Sequence, residues 1–181
     1  MDFLKYVLFL IIIPIMGYSQ VNTDWGIPYN SEKEAFIYED VIMVEGASKE
    51  ELYSRSLNWI KSYFTAGANK ITNKNKEKGI IELKDRLIFY RMEKKSKVKD
   101  AIIDYNMTIF IKEGKIKYQI TNFRAFMESR SPHIERWMEA RYSDPEDAKV
   151  RFEKLDKEIQ KLIDNLNSSI VKGESQKEDD W

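Results

Sequence analysis

The 181-residue chain contains no cysteine and only one histidine, His133. Without thiols, the sequence excludes disulfide bonds, thiolate metal sites, cysteine nucleophiles and lipid attachment at cysteine. A lone histidine without cysteine does not form an ordinary zinc site, and no Gly-x-Ser-x-Gly motif supplies a serine nucleophile. We therefore interpret His133 as a solvated surface residue and assign no catalytic or metal-binding residue.

The chain also lacks an excess of charge of one sign, because 30 lysines and arginines balance 30 acidic residues. This neutrality disfavours broad electrostatic binding to nucleic acid or anionic lipid, although local charged patches remain compatible with it. The sequence has no glycine-rich phosphate loop and no calcium loop of the Asp-x-Asp-x-Asp-Gly kind. We expect no bound cofactor.

Residues 1–19 have the features of a secretory signal. Lys5 precedes an apolar run at 6–16, and Gly17 and Ser19 supply the small residues of a cleavage site. The run is shorter than the roughly 20 residues that a membrane-spanning helix needs, and an uncleaved anchor is the alternative interpretation. We expect an exported protein, periplasmic or secreted and not a lipoprotein, with no stable membrane insertion after cleavage.

The domain boundaries follow from the distribution of breakers and charge. Gly26 and Pro28 predict an irregular lead-in at 20–34. A single α+β domain is then expected over 35–172, and the charged end at 173–181 is predicted to be a disordered tail.

The domain begins with a predicted strand and helix. Apolar residues alternate over 36–44, which indicates a strand, and Gly46 interrupts this pattern. Ser48 and Glu51 are spaced as a capping box, and the apolar stripe that follows predicts a helix to about Phe64.

A run of antiparallel strands is predicted next, with a charged turn closed by Gly79, a basic loop at 94–99 and a tight turn at Glu113 and Gly114. The last two strands alternate clearly between apolar and polar residues, which is typical of a sheet covered on one face only. The predicted strands span residues 70–72, 80–92, 101–112 and 115–123.

The C-terminal part is predicted to contain a satellite helical segment at 125–142 and a second long helix. Asp144 provides the cap of this helix and Pro145 its first position, and apolar spacing carries it to about Val171. The economical fold is an antiparallel sheet of about five strands with two long helices packed on one face, in the order β-α-β-β-β-β-α.

Several local strings resemble the Bacteroidetes family known as domain of unknown function 4468, which has a TBP-like fold. The resemblance covers roughly residues 36–124 and rests on YEDV at 38–41, VEG at 44–46, SKEELY at 48–53, Trp59, and TIFIKEGKIKY at 108–118. It implies the fold and supplies no activity or site residues, because fold does not determine function. TATA-binding proteins use such a sheet on DNA, but Asp104 on the polar face, the neutral chain and the signal lead us to expect no nucleic-acid partner.

The polar, open face of the sheet is the candidate site. Aromatic residues among mixed charges suit recognition, so we expect a non-catalytic module that binds an unknown envelope protein or a small ligand. The candidate surface comprises Glu82, Lys84, Arg86, Tyr90, Asp104, Asn106, Thr108, Phe110, Lys117, Gln119 and Thr121.

Two other interpretations remain open. Paired carboxylates, with Glu82 and Asp104 as the candidates, would make the protein a periplasmic hydrolase, but we expect both to pair with Lys84, Lys117 or Arg86 across strands. The third interpretation is a structural accessory subunit. The basic cluster formed by Lys94, Lys95, Lys97 and Lys99 is interpreted as a solubilising loop, and capture of an anionic surface is its functional alternative.

Overall fold

The computed structural model describes residues 21–22, 25–126, 132–139 and 144–173. The predicted signal at 1–19 and all but one residue of the predicted tail lie outside these ranges. The strands are β1 (Val21–Asn22), β2 (Pro28–Asn30), β3 (Ala35–Phe36), β4 (Tyr38–Met43), β5 (Ile71–Asn75), β6 (Ile80–Glu93), β7 (Ser96–Lys112) and β8 (Lys115–Phe126). The helices are α1 (Lys49–Tyr63), a short α2 (Gly67–Lys70), a 3-10 turn (Ile134–Met138) and α3 (Pro145–Lys172).

The main sheet is antiparallel, with five strands in the order β4-β8-β7-β6-β5. The helices α1 and α3 lie side by side on one of its faces, where the Trp59 indole nitrogen donates to Asn165 Oδ1 at 2.9 Å. Arg55 Nη1 donates to the carbonyl of Ile170 at 2.7 Å and joins the same two helices. The predicted α+β class, with about five strands and two long helices, is confirmed.

Alternation along β7 determines which face the helices cover. Ile103, Tyr105, Met107 and Ile109 are buried, and the residues between them are only partly buried. Successive side chains of a strand point to opposite faces, so one face of the sheet carries the core and the other meets solvent. We call this second, helix-free side the outer face.

The predicted irregular lead-in is corrected by the structure. The strands β1, β2 and β3 form a separate three-stranded antiparallel sheet, in which Tyr29 lies opposite Phe36. The predicted strand at 36–44 is correspondingly divided, because Phe36 belongs to β3 and β4 begins at Tyr38. Strands of two or three residues are too short to leave a periodic pattern, so only their tertiary partners define them.

The predicted basic loop at 94–99 is also corrected. The strands β6 and β7 continue to a two-residue turn at Lys94 and Lys95, and Lys97 and Lys99 lie within β7. Between Ile102 and the turn, β6 is the one described strand that pairs with β7, so residues 89–101 form a two-stranded arm. Lysine is depleted in strands, so the sequence pattern indicated a loop here, whereas pairing with the partner strand extends the hairpin through these residues.

The satellite segment predicted at 125–142 begins later than expected, because β8 extends to Phe126. Residues 132–139 return along β8, where Ala125 N donates to the carbonyl of Pro132 at 2.9 Å and a 3-10 turn follows. The rest of the predicted segment, at 127–131 and 140–142, lies outside the described residues.

Both long helices begin at the predicted caps. Ser48 Oγ accepts from the backbone N–H of Glu51 at 3.2 Å, but the Glu51 carboxylate pairs with Arg55 instead of completing the capping box. Asp144 Oδ1 accepts from the backbone N–H of Glu146 at 2.9 Å. Such caps satisfy N–H groups that have no partner within the helix.

Phe152 of α3 joins the small sheet to the main core. Its side chain is fully buried, and its ring centroid lies 5.6, 5.1 and 5.7 Å from those of Trp25, Phe36 and Trp137. Tilted and edge-on aromatic pairs at these separations add to the hydrophobic contribution of burial. The lead-in and β3 therefore pack over the core through Trp25 and Phe36.

We expect Phe152→Ala to lower the free energy of unfolding by about 3–5 kcal/mol, because it removes a buried ring on which three other aromatic side chains pack. Val150→Ala, on the exposed side of the same helix, is the matched control and should have an effect below about 1 kcal/mol. Urea denaturation followed by circular dichroism measures both. Equal losses in the two variants would contradict the central position of Phe152.

Candidate binding face of the sheet

The outer face holds all of the candidate surface residues, and none of them is buried. Register places Glu82, Thr108 and Gln119 in one row across β6, β7 and β8, and Lys84, Asn106 and Thr121 in the next row. Arg86 lies opposite Asp104, and Phe110 lies opposite Lys117. Tyr90 lies on the arm, beyond a bulge that follows Phe89, and 42% of its surface is exposed.

Ion pairs and hydrogen bonds occupy the acidic groups in the middle of this face. The Arg86 guanidinium holds Asp104 with two parallel hydrogen bonds, Nε to Oδ1 at 2.5 Å and Nη2 to Oδ2 at 2.9 Å. The hydrogen bond to Asp104 raises the pKa of Arg86. The Asn73 amide donates to Glu82 Oε2 at 3.1 Å. Asp104 thus has the predicted cross-strand partner, whereas Glu82 is bonded to an asparagine rather than a lysine.

Glu39 of β4, which the sequence did not single out, joins the same polar network. Its Oε2 atom accepts from Gln119 Nε2 at 2.9 Å and lies 3.0 Å from Lys117 Nζ. Burial alone raises the pKa of this carboxyl, but the hydrogen bonds from Lys117 and Gln119 outweigh burial and lower it. Glu39 is therefore held as a carboxylate.

Basic side chains outnumber acidic ones on the outer face, although the whole chain is neutral. The acidic residues at its strand positions are Glu39, Glu82 and Asp104. The basic residues at equivalent positions are Lys84, Arg86, Lys97, Lys99, Lys112, Lys115, Lys117 and Arg124. Summed over a surface, such an imbalance produces a positive potential that attracts anions.

The arm exposes apolar side chains beside these basic residues. Met92 is 68% exposed and Tyr90 carries Lys97 Nζ at 4.3 Å from its ring centroid, which is a cation–π contact. At the base of the arm, Asp100 lies 3.8 Å from both Arg151 and Lys154 of α3. These ion pairs fix the arm to the helical layer.

The opposite end of the outer face contains a cleft of about 390 Å³. We call it the lysine cleft, and its lining residues are Val41, Phe110, Lys112, Lys115, Lys117 and Gln119. Only Phe110, Lys117 and Gln119 were identified from the sequence. The other three come from positions that approach one another only through the pairing of β4, β8 and β7.

His133 and the acidic residues of the described ranges do not form a reaction centre or a metal site. The His133 side chain is half exposed, with Nδ1 3.9 Å from Glu135 Oε2 and Nε2 3.3 Å from Arg124 Nη1. Within the described ranges, no group of three or more histidine and acidic side chains is arranged to hold a metal ion. Of the helices in that part of the chain, none combines the length and apolar character needed to cross a membrane.

A sheet with one helical layer and one open face defines the class of protein, an α+β domain with the TBP-like fold. Solved structures share it: a TBP-like protein from Parabacteroides distasonis superposes with a TM-score of 0.63 at 16% identity, covering 80% of this chain and 96% of that one. A DUF4468 family protein from Bacteroides ovatus gives a TM-score of 0.63 at 14% identity, covering 80% and 90%. At these identities the likeness concerns the fold alone.

The family is identified by the sequence itself. The family model described as domain of unknown function (DUF4468) with TBP-like fold matches residues 38–126. The chain belongs to this family, which confirms the resemblance seen in its sequence. No curated protein matches the chain.

We expect Glu39 to titrate below the ordinary glutamate value of about 4.3, and Lys117→Met to raise its pKa, because burial then acts with less opposition. A carboxyl whose pKa is lowered in the folded state stabilises the fold at any pH above its unfolded-state pKa. This stabilisation is lost as the pH falls through the folded-state pKa. The stability difference between wild type and Lys117→Met should therefore shrink in acid.

Carboxyl-detected NMR measures the pKa, and urea denaturation across pH measures the stability difference. Lys84→Met is the control, since Lys84 lies on the same face and outside the bonds to Glu39. An unchanged Glu39 pKa in Lys117→Met would contradict the dominance of this ion pair.

Proposed function

We propose that the protein is a non-catalytic binding module whose outer face takes an anionic partner. The observation that carries this proposal is the excess of basic side chains on a helix-free sheet face that also exposes aromatic residues. The acids of this face are engaged with Arg86, Lys117 and neutral amides. They therefore leave the other lysines available to a ligand.

The hydrolase interpretation is not supported by the geometry of its candidate acids. A general acid must hold a proton near neutral pH, which calls for a desolvated carboxyl without a cationic partner. Asp104 is instead bound by a guanidinium at two points, and Glu82 accepts from an asparagine amide. We therefore do not propose a carboxylate-based reaction.

The binding proposal is tested by retention on immobilised heparin, used as a polyanion probe. We expect the chain without its first 19 residues, 20–181, to be retained. Lys84→Glu combined with Lys99→Glu should elute at a NaCl concentration lower by on the order of 100 mM, because fewer basic contacts release fewer counterions from the polyanion. Lys149→Glu combined with Lys157→Glu, on the exposed side of α3, is the matched control and should elute like wild type. Equal behaviour of both pairs, or no retention of wild type, overturns the proposal.

We also propose that residues 1–19 direct export and are removed. The support is the sequence pattern of a charged start, an apolar run and small residues before Gln20. Intact-mass spectrometry of the protein from the culture's envelope fraction should give a chain that begins at Gln20. A full-length mass would instead indicate the uncleaved anchor. The absence of a nucleic-acid partner, which rests partly on this export, stays a prediction.

A further inference from the structure

The register of the sheet places three lysines on neighbouring positions at the lysine cleft. Lys112 of β7 lies directly opposite Lys115 of β8. Lys117 is two residues further along β8 and therefore points to the same face. The Cβ atoms of residues at such positions are a few ångströms apart, so the charges that their side chains carry interact.

This arrangement is unfavourable for the protein alone. Like charges directly opposite each other on antiparallel strands destabilise the pair. Nearby acids are engaged elsewhere, since Glu39 contacts Lys117 and Gln119, and Glu113 Oε2 accepts from the backbone N–H of Lys49 at 3.1 Å. Among the described residues, neither Lys112 nor Lys115 has an acidic partner within ion-pair distance. A bound anion would relieve this repulsion.

Apolar groups form the other part of the cleft. Phe110, Lys117 and Val41 occupy one row across β7, β8 and β4, so the phenyl ring and the valine flank the central lysine. The Phe110 side chain is 36% exposed, so its ring is accessible from the outer face. The volume of about 390 Å³ lies within the range of small-molecule sites, roughly 300–1,000 Å³. The cleft therefore combines three lysines with two apolar side chains and the amide of Gln119.

We propose that the lysine cleft binds a small amphipathic anion, in which a phosphate or carboxylate group is carried on an apolar body about the size of an aromatic ring. Lys112 and Lys115 contact the anionic oxygens by charge-assisted hydrogen bonds, and Phe110 and Val41 contact the apolar body. Lys117 is shared between the ligand and Glu39, which positions its ammonium group. This proposal rests on the outer face being a binding surface and names the ligand class for one part of it.

Phenyl phosphate is the probe, titrated into the 15N-labelled domain and followed by amide chemical shifts. We expect the largest shifts at Val41, Phe110 and Gln119. Inorganic phosphate should bind about tenfold more weakly, because it lacks the apolar contact, and benzyl alcohol should also bind more weakly because it lacks the charge. Equal affinities for phenyl phosphate and inorganic phosphate overturn the apolar part of the proposal.

The variant Lys112→Gln combined with Lys115→Gln tests the residues. We expect the Kd for phenyl phosphate to rise about tenfold, while the melting temperature without ligand rises by about 1–3 °C because the like-charge repulsion is removed. Lys149→Gln combined with Lys157→Gln, on the exposed side of α3, is the matched control and should change neither quantity appreciably. Phe110→Thr should weaken phenyl phosphate and leave inorganic phosphate unchanged.

The results separate this proposal from the broader one. In one outcome, heparin retention depends on Lys84 and Lys99 while phenyl phosphate causes no shift at the cleft residues. That result overturns ligand binding at the lysine cleft and still supports the outer face as a binding surface. Cleft-specific binding without heparin retention supports the small-ligand site and overturns capture of a polyanion. An unchanged Kd in the Lys112 and Lys115 variant overturns the assignment of these residues.

Discussion

The central strand β7 is hydrogen-bonded on both sides, and this pairing determines the positions of the outer-face groups on β6, β7 and β8. β6 and β8 are registered against it, so a displacement by one residue would exchange the buried and exposed sets of side chains. The buried set, which includes Tyr105 and Met107, packs under α1 and α3. The free energy of burying that set therefore maintains the polar, basic arrangement opposite it.

Charge on the outer face is distributed unevenly because its acids are concentrated in the middle. Asp104, Glu82 and Glu39 all lie in central rows and are neutralised or hydrogen-bonded there. Toward the two ends, on the arm and in the lysine cleft, the charged residues at outer-face strand positions are lysines, and of these Lys117 is paired with Glu39. Net charge summed over the chain conceals this separation, since it averages the outer face with the rest of the molecule.

The sequence predicted the long elements well because their signals are local and periodic. The caps at Ser48 and Asp144 and the alternation of β7 each depend on a few neighbouring residues. The strands of the small sheet could not be predicted, since β3 has only two residues and its stability comes from the packing of Phe36 on Phe152. The extended arm was missed for a related reason, because a lysine-rich pattern indicates a loop unless its partner strand is known.

The candidate site was predicted in the same partial way. Alternation alone identified the open face and residues such as Phe110 and Lys117, but it assigned the basic cluster at the turn a solubilising role and passed over Lys112 and Lys115. Those two lysines flank a tight turn, where charge is ordinary and carries no signal. Their significance arises only when register places them opposite each other. Sequences break a local rule of stability mainly at functional or strained positions, and two lysines directly opposite each other break such a rule. This is the reason for placing the proposed ligand at the lysine cleft and not elsewhere on the outer face.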